Sequence, residues 1–221
     1  MGRSRRLQSL PENFNGFSEL MSKIKTDAPL ILASTSSFRR ELLSRLGLEF
    51  EVKPPGVEEG AFPGEKGQDL ALRLSGEKAK AVAADIDHGL VIGSDQVAVL
   101  GNEILGKPVD RPDAIRQLAI SSGREMELYT GLTLVNAASG AVQQDVVAYR
   151  VKYRDLTRDQ IEHYLDLDKP FGCCGSLRAE SLGIALLREL TGPDPSALIG
   201  LPLISLVQML EREGIDVLAR K

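Results

Sequence analysis

Two adjacent arginines, Arg39 and Arg40, stand just after a run of hydroxyl residues, Ser34-Thr35-Ser36-Ser37. Leu30-Ile31-Leu32-Ala33 precedes the run and Glu41-Leu42-Leu43 follows the arginines. The pattern reads as a buried strand, a small-residue turn and the start of an amphipathic helix. Unpaired N–H groups give a helix N-terminus partial positive charge, so acidic residues suit that end better than cations. Two arginines beside hydroxyls such as that of Ser34 make sense if an anion docks there, and a phosphate chain fits best. The plainer alternative is a pair of solvated arginines, or pairing with Glu41.

Further residues extend this chemistry. Gly93-Ser94-Asp95-Gln96 follows Leu90-Val91-Ile92, which places Asp95 at the end of a short buried strand, on the rim where α/β sheets hold ligands. Gly106-Lys107-Pro108 projects a lysine from a turn. Glu59, in the loop stretch Val57-Glu58-Glu59, suits a hard divalent cation, whereas Glu58 reads as a solvated loop acid. Lys78 lies mid-helix, where it faces either solvent or phosphate. Taken singly, each is also an ordinary turn, cap or surface charge. Together, Ser34, Arg39, Arg40, Lys78 and Lys107 make a phosphate-binding set. Glu59 and Asp95 make a site for Mg²⁺ or Mn²⁺, with Asp95 able to take a proton from water. That inventory serves metal-assisted hydrolysis of a nucleoside triphosphate. Neither Gly-x-x-x-x-Gly-Lys-Ser/Thr nor Gly-x-Gly-x-x-Gly occurs, so P-loop and Rossmann readings lack their motifs.

The elements that must position these residues follow from periodicity and turn signals. Strands are expected at Leu30–Ala33, Phe50–Lys53, Leu90–Ile92, Val97–Leu100, Glu103–Leu105, Glu125–Asn136, Val142–Tyr153 and Ile184–Leu190. Gly101-Asn102 marks a hairpin turn. Helices are expected at Ser37–Leu46, Gln68–Ala84, Pro112–Ile120, Thr157–Leu165 with Thr157 as N-cap, and Leu203–Arg212. Mixed hairpins and helix crossovers predict an α/β fold with a mixed sheet. Residues 1–28 read as an extension, with one short helix around Phe17–Ile24, residues 29–214 as the domain, and residues 215–221 as a tail.

Bulk properties narrow the function. The 221 residues are 43% hydrophobic and 26% charged, which is ordinary for a globular protein. A net charge of −4 argues against a nucleic-acid polymer as partner but permits a local basic pocket. No apolar run is long enough for a membrane span, and no apolar stretch follows Arg3, Arg5 and Arg6 as a secretory signal requires. The only cysteines, Cys173 and Cys174, are adjacent, which disfavours a structural disulfide and suits reduced thiols in the cytoplasm. The two histidines form no zinc pattern.

The ordered set of motifs closely resembles the Maf family of nucleotide pyrophosphatases, once called septum-formation inhibitors. It runs from Leu30-Ile31-Leu32-Ala33-Ser34 through Arg39-Arg40 to Val57-Glu58-Glu59, Glu77-Lys78-Ala79, Gly93-Ser94-Asp95-Gln96-Val97 and Gly106-Lys107-Pro108. Tyr129-Thr130-Gly131-Leu132 and Gly200-Leu201-Pro202-Leu203 complete it. The resemblance covers residues 29 to 214. It implies an elongated, bent mixed sheet with two lobes about a central cleft, similar to inosine triphosphate pyrophosphatases. It further implies cleavage of a nucleoside triphosphate to monophosphate and pyrophosphate, a divalent metal, and a homodimer.

Ser94-Asp95-Gln96 and Cys174-Gly175-Ser176-Leu177-Arg178-Ala179-Glu180-Ser181 look like the branch assigned to 7-methyl-GTP, with Phe38 at its aromatic position. Arg178 stands where that branch has Lys, and Ser181 where it has Gly. By this resemblance Phe38, Gln96 and Glu180 select the base. A 7-methylated guanine carries positive charge, which an aromatic face and a carboxylate attract. The alternatives are a dTTP/UTP or broad-range pyrophosphatase, and a non-enzymatic nucleotide-binding regulator of cell division.

Overall fold

The computed structural model describes residue 26 and residues 28–219; the expected helix around Phe17–Ile24 lies outside them. Seven strands form one mixed sheet: β1 (Leu30–Ala33), β2 (Glu51–Lys53), β3 (Leu90–Leu100), β4 (Glu103–Leu105), β5 (Glu125–Asn136), β6 (Val142–Tyr153) and β7 (Leu187–Thr191). Their order is β2-β1-β3-β5-β6-β7, with β4 paired to β3. β1 runs parallel to β2 and β3, and the remaining pairs are antiparallel. The helices are α1 (Ser37–Ser44), α2 (Gly67–Ala83), α3 (Arg111–Ser121), α4 (Arg158–Asp168) and α5 (Leu203–Arg212).

Two expectations are corrected. The separate strands expected at Leu90–Ile92 and Val97–Leu100 are one continuous strand, β3. Gly93 does not break it, because β5 pairs with it from Leu90 to Val99. Asp95 therefore sits in mid-strand, not at a strand end. The last strand begins at Leu187 instead of Ile184, since Leu182–Leu186 form a 3₁₀ turn and Leu187 pairs with Tyr153.

The layers follow from side-chain alternation along the strands. α2 lies across β1, β3, β5 and β6 on one face. Its close approach requires glycine at Gly93 and Gly131, where a Cβ would meet the Ser75 and Ala71 carbonyl oxygens at 2.2 and 2.1 Å. The opposite face carries two separate apolar clusters. One joins β1 and the first half of β3 to Leu42 and Leu43 of α1 and to Leu206, Met209 and Leu210 of α5, with Ile215 and Val217 against it. The other joins Ala98 and Leu100 to α3 and α4. At eight residues α1 is too short to persist alone. Burial of Leu42 and Leu43 holds it, at about 1.5–3 kcal/mol per side chain. The α4 cap is as expected: Thr157 and Gln160 form a reciprocal capping box.

Between the two clusters the sheet has a gap. β1 pairs with β3 only as far as Gly93, and β4 pairs only from Ala98 onward. Ser94–Val97 are thus paired to β5 on one side, while on the other they lack a ladder partner. Asp95 and Gln96 open onto that edge.

Candidate active site

A cavity of about 760 Å³ opens at the gap. It is lined by Ser34, Phe38 and Arg39 from the β1–α1 segment and by Lys78 from α2. Asp95 and Gln96 of β3, with Glu59, Lys107 and Glu180 from loops, complete the expected residues in its wall. The structure therefore gathers every residue singled out in the sequence except Arg40, which is exposed and outside the cavity.

Lys78 is the centre of the arrangement. It is a lysine only 3% exposed, on the helix that Gly93 and Gly131 let onto the sheet. Its Nζ donates to Asp95 Oδ1 at 2.6 Å and to Glu59 Oε1 at 2.5 Å. Lys107 Nζ donates to the other Glu59 oxygen at 3.2 Å. Burial alone pushes the Glu59 carboxyl up, but hydrogen bonding and charge from Lys78, helped by Lys107, outweigh it and hold the group at about 2. Arg39, in the first turn of α1, reaches one of these carboxylates, with Nη2 4.0 Å from Asp95 Oδ1. Its Nε donates to the Gly200 carbonyl at 2.8 Å, an acceptor shared with Ser94 Oγ. Gly200 has φ +116°, in the region that favours glycine, which accounts for that residue in its motif. Ser36 caps α1, its side chain accepting from the Arg39 N–H, and Ser34 Oγ accepts from the Ser36 N–H.

Alternation along β3 sorts the site. Asp95 faces α2 with the charged cluster, while Gln96 faces the other way. The Gln96 amide nitrogen donates to the Ala197 and Leu198 carbonyls at 2.8 and 3.1 Å. Those bonds leave its amide oxygen as the group with capacity for a ligand. Phe38 and Glu180 also line the cavity. Burial pushes the Glu180 carboxyl up, against the charge of nearby Arg178. Both cysteines are free and line the cavity. Burial raises both thiols, Cys174 to about 11, and Cys174 Sγ donates to the Gln96 carbonyl at 3.4 Å.

Sequence reasoning missed Arg73. It uses Nε and Nη2 on Glu65, Nη1 on Glu77 and Nη2 again on the Gly60 carbonyl. Its guanidinium carbon lies 4.0 Å from the centre of the Phe62 ring. One α2 residue thus clamps the loop that carries Glu59. The signal was Arg73 and Glu77 at i, i+4 on α2, but a loop partner cannot be read from helical spacing.

Converging cations and carboxylates at a gap in a mixed α/β sheet define a site built for a polyanion. The chain belongs to the Maf family: the family model described as Maf-like protein matches residues 29–213. A 7-methyl-GTP pyrophosphatase of Thiobacillus denitrificans is 52% identical over 194 residues, covering 88% of this chain and 96% of that protein. One of Nitrosococcus oceani is 49% identical over 189 residues, covering 86% and 95%. One of Pseudomonas syringae is 48% identical over 188 residues, covering 85% and 98%. A solved HAM1 protein from Coxiella burnetii superposes with a TM-score of 0.40 at 15% identity, over 57% of this chain and 73% of that one.

Proposed function

We propose that this protein hydrolyses 7-methyl-GTP to 7-methyl-GMP and pyrophosphate, removing a modified nucleotide in the cytoplasm. The observation that carries the reaction type is the Lys78 bridge between Glu59 and Asp95, with Arg39 and Lys107 around it. Three cations and two carboxylates converge where a triphosphate would lie. The base assignment is supported by relatives named 7-methyl-GTP pyrophosphatase and by Phe38, Gln96 and Glu180 in the cavity wall.

Among the described residues, no group of three or more His, Cys, Asp or Glu side chains converges to hold a metal. The carboxylate oxygens of Glu59 and Asp95 are the hard donors that Mg²⁺ or Mn²⁺ prefers, and Lys78 holds the two groups side by side. Glu59 and Asp95 would hold the ion. When bound, it neutralises phosphate charge and makes pyrophosphate a better leaving group. Arg39 and Lys107 hold the phosphate chain, and Lys78 keeps Asp95 and Glu59 in register. Asp95 accepts the proton of the attacking water. The water oxygen bonds to the α-phosphorus, the bridging bond to the β-phosphate breaks, and pyrophosphate leaves with that electron pair. Arg40, exposed and outside the cavity, is given no phosphate contact in this reading.

Pyrophosphate release from a panel of methylated and unmethylated nucleotides, with and without Mg²⁺ or Mn²⁺, tests this reading. The expected result is metal-dependent release with the highest kcat/KM for 7-methyl-GTP. Faster hydrolysis of dTTP or UTP would overturn the substrate. Nucleotide binding with no release would favour the non-enzymatic regulator. The homodimer implied by the resemblance belongs to the proposal and is read by sedimentation.

A further inference from the structure

Phe38 and Glu180, the two groups assigned to a charged base, are bridged by a side chain that the reaction does not use. Arg178 sets its guanidinium carbon 5.5 Å from the centre of the Phe38 ring, within cation–π range. Its Nε lies 4.0 Å from Glu180 Oε1, an ion pair too long for a hydrogen bond. Arg178 is not part of the cavity lining, so it acts on the base end from outside the cavity wall.

A second carboxylate holds Arg178 there. Its Nη1 donates to Asp168 Oδ1 at 3.2 Å and to the Asp168 carbonyl at 3.1 Å. The Asp168 side chain is only 4% exposed. Ser181 Oγ donates to the same Oδ1 at 2.7 Å, and the buried Oδ2 has no protein donor. Arg178 and Ser181, two positions that depart from the branch pattern, therefore meet on one buried carboxylate.

The charges decide what this does. A buried carboxylate requires a counter-charge, and Arg178 supplies it. Paired with Asp168, Arg178 is neutralised and the charge of Glu180 remains for a ligand. Unpaired, Arg178 would compete for the Phe38 face and the Glu180 carboxylate, the two features that attract a positively charged ring.

We propose that Arg178 and Asp168 set the charge selectivity of the base end. Arg178 restrains the preference for a purine carrying fixed positive charge over its neutral counterpart, and Asp168 restores that preference by neutralising Arg178. Both are positioning residues that act through Phe38 and Glu180. The proposal rests on the reading that those two groups face the base.

The test is metal-free equilibrium binding of 7-methyl-GTP and of GTP, which needs no turnover. The kcat/KM ratio is measured alongside it. Arg178→Met keeps an apolar stem and removes the charge. A unit charge at this range changes the affinity ratio about 3- to 10-fold, so the preference for 7-methyl-GTP should rise by that factor. Asp168→Asn should lower it by a similar factor. Arg178→Lys keeps the charge while losing the planar fork, so its preference ratio should lie closer to wild type than that of Arg178→Met. Thermal unfolding of each variant separates lost folding from altered selectivity, and Arg178→Met decides the matter should Asp168→Asn not fold. If Arg178→Met weakens both nucleotides equally, Arg178 is only a structural prop and the proposal fails, while the pyrophosphatase reading stands. A shifted binding ratio without pyrophosphate release sinks the pyrophosphatase reading and leaves this one intact. Absence of binding by either nucleotide overturns both.

Discussion

Replacing Lys78 with methionine should unfold the logic of the site more than it unfolds the protein. The side chain is 3% exposed and bonds two carboxylates, so methionine fills the stem's volume but removes the hydrogen-bond donor that Asp95 and Glu59 share. Removing one partner of a buried pair costs about 3–5 kcal/mol when the other stays charged and buried. Arg39 at 4.0 Å offsets part of this at Asp95, and Glu59, with a side chain 47% exposed, can turn to water. We therefore expect about 2–3 kcal/mol, or roughly 4–12 °C in Tm for a chain of this size.

The variant should also lose an acid-sensitive component of stability. The Glu59 carboxyl is depressed from 4.5 to about 2 in the folded state. Its contribution is thus full above about pH 4.5 and lost as pH falls toward 2. For a half-exposed group, solvent screening reduces that contribution to about 1 kcal/mol. Urea unfolding between pH 2 and pH 7 measures both effects. In Lys78→Met the slope through this window should flatten. A double variant, Lys78→Met with Asp95→Asn, should recover stability relative to Lys78→Met alone, because no unpaired buried charge remains. Both variants should lose turnover. Equal stability of Lys78→Met and wild type, with an unchanged acid profile, would refute the reasoning, as would strict additivity in the double variant.

Asp95→Asn should lower turnover by about 10²–10⁴ at saturating nucleotide, as loss of a general base does, and near-normal turnover would make Asp95 structural. Arg39→Ala or Lys107→Ala should weaken triphosphates more than the matching monophosphates in competition binding; an equal loss across both would point away from a phosphate contact. Arg73→Met should free the loop that carries Glu59 and cut kcat/KM about 10- to 100-fold with a raised metal requirement, a displacement effect that normal metal dependence would exclude. Because burial raises both thiols, alkylation of Cys173 and Cys174 should be slow at pH 7.5, accelerate as pH rises toward 11, and leave turnover largely intact. Replacing both with serine should likewise leave turnover largely intact, and its loss in a folded Cys173→Ser, Cys174→Ser double variant would place a thiol in the reaction.

Local pattern was enough to place most elements. β5, β6 and α5 coincide with their expected ranges, because long alternating or amphipathic runs carry their own periodicity. The Thr157 cap and the Gly101-Asn102 turn were legible for the same reason: their partners lie within a few residues. Residue types also sufficed to nominate Ser34, Arg39, Glu59, Lys78, Asp95 and Lys107 as one chemical set. Sequence alone could not say that Asp95 sits mid-strand, since the continuity of β3 depends on pairing with β5 some forty residues away. Nor could it separate Arg39 from Arg40. One helical step turns the first toward Gly200 and Asp95 and leaves the second in solvent. Which way Lys78 faces was decided by Gly93 and Gly131, whose missing Cβ atoms let α2 descend onto the sheet. The Arg73 clamp and the meeting of Arg178 and Ser181 on Asp168 belong to the same category. Each joins side chains from different elements, and such contacts exist only once the chain has closed on itself.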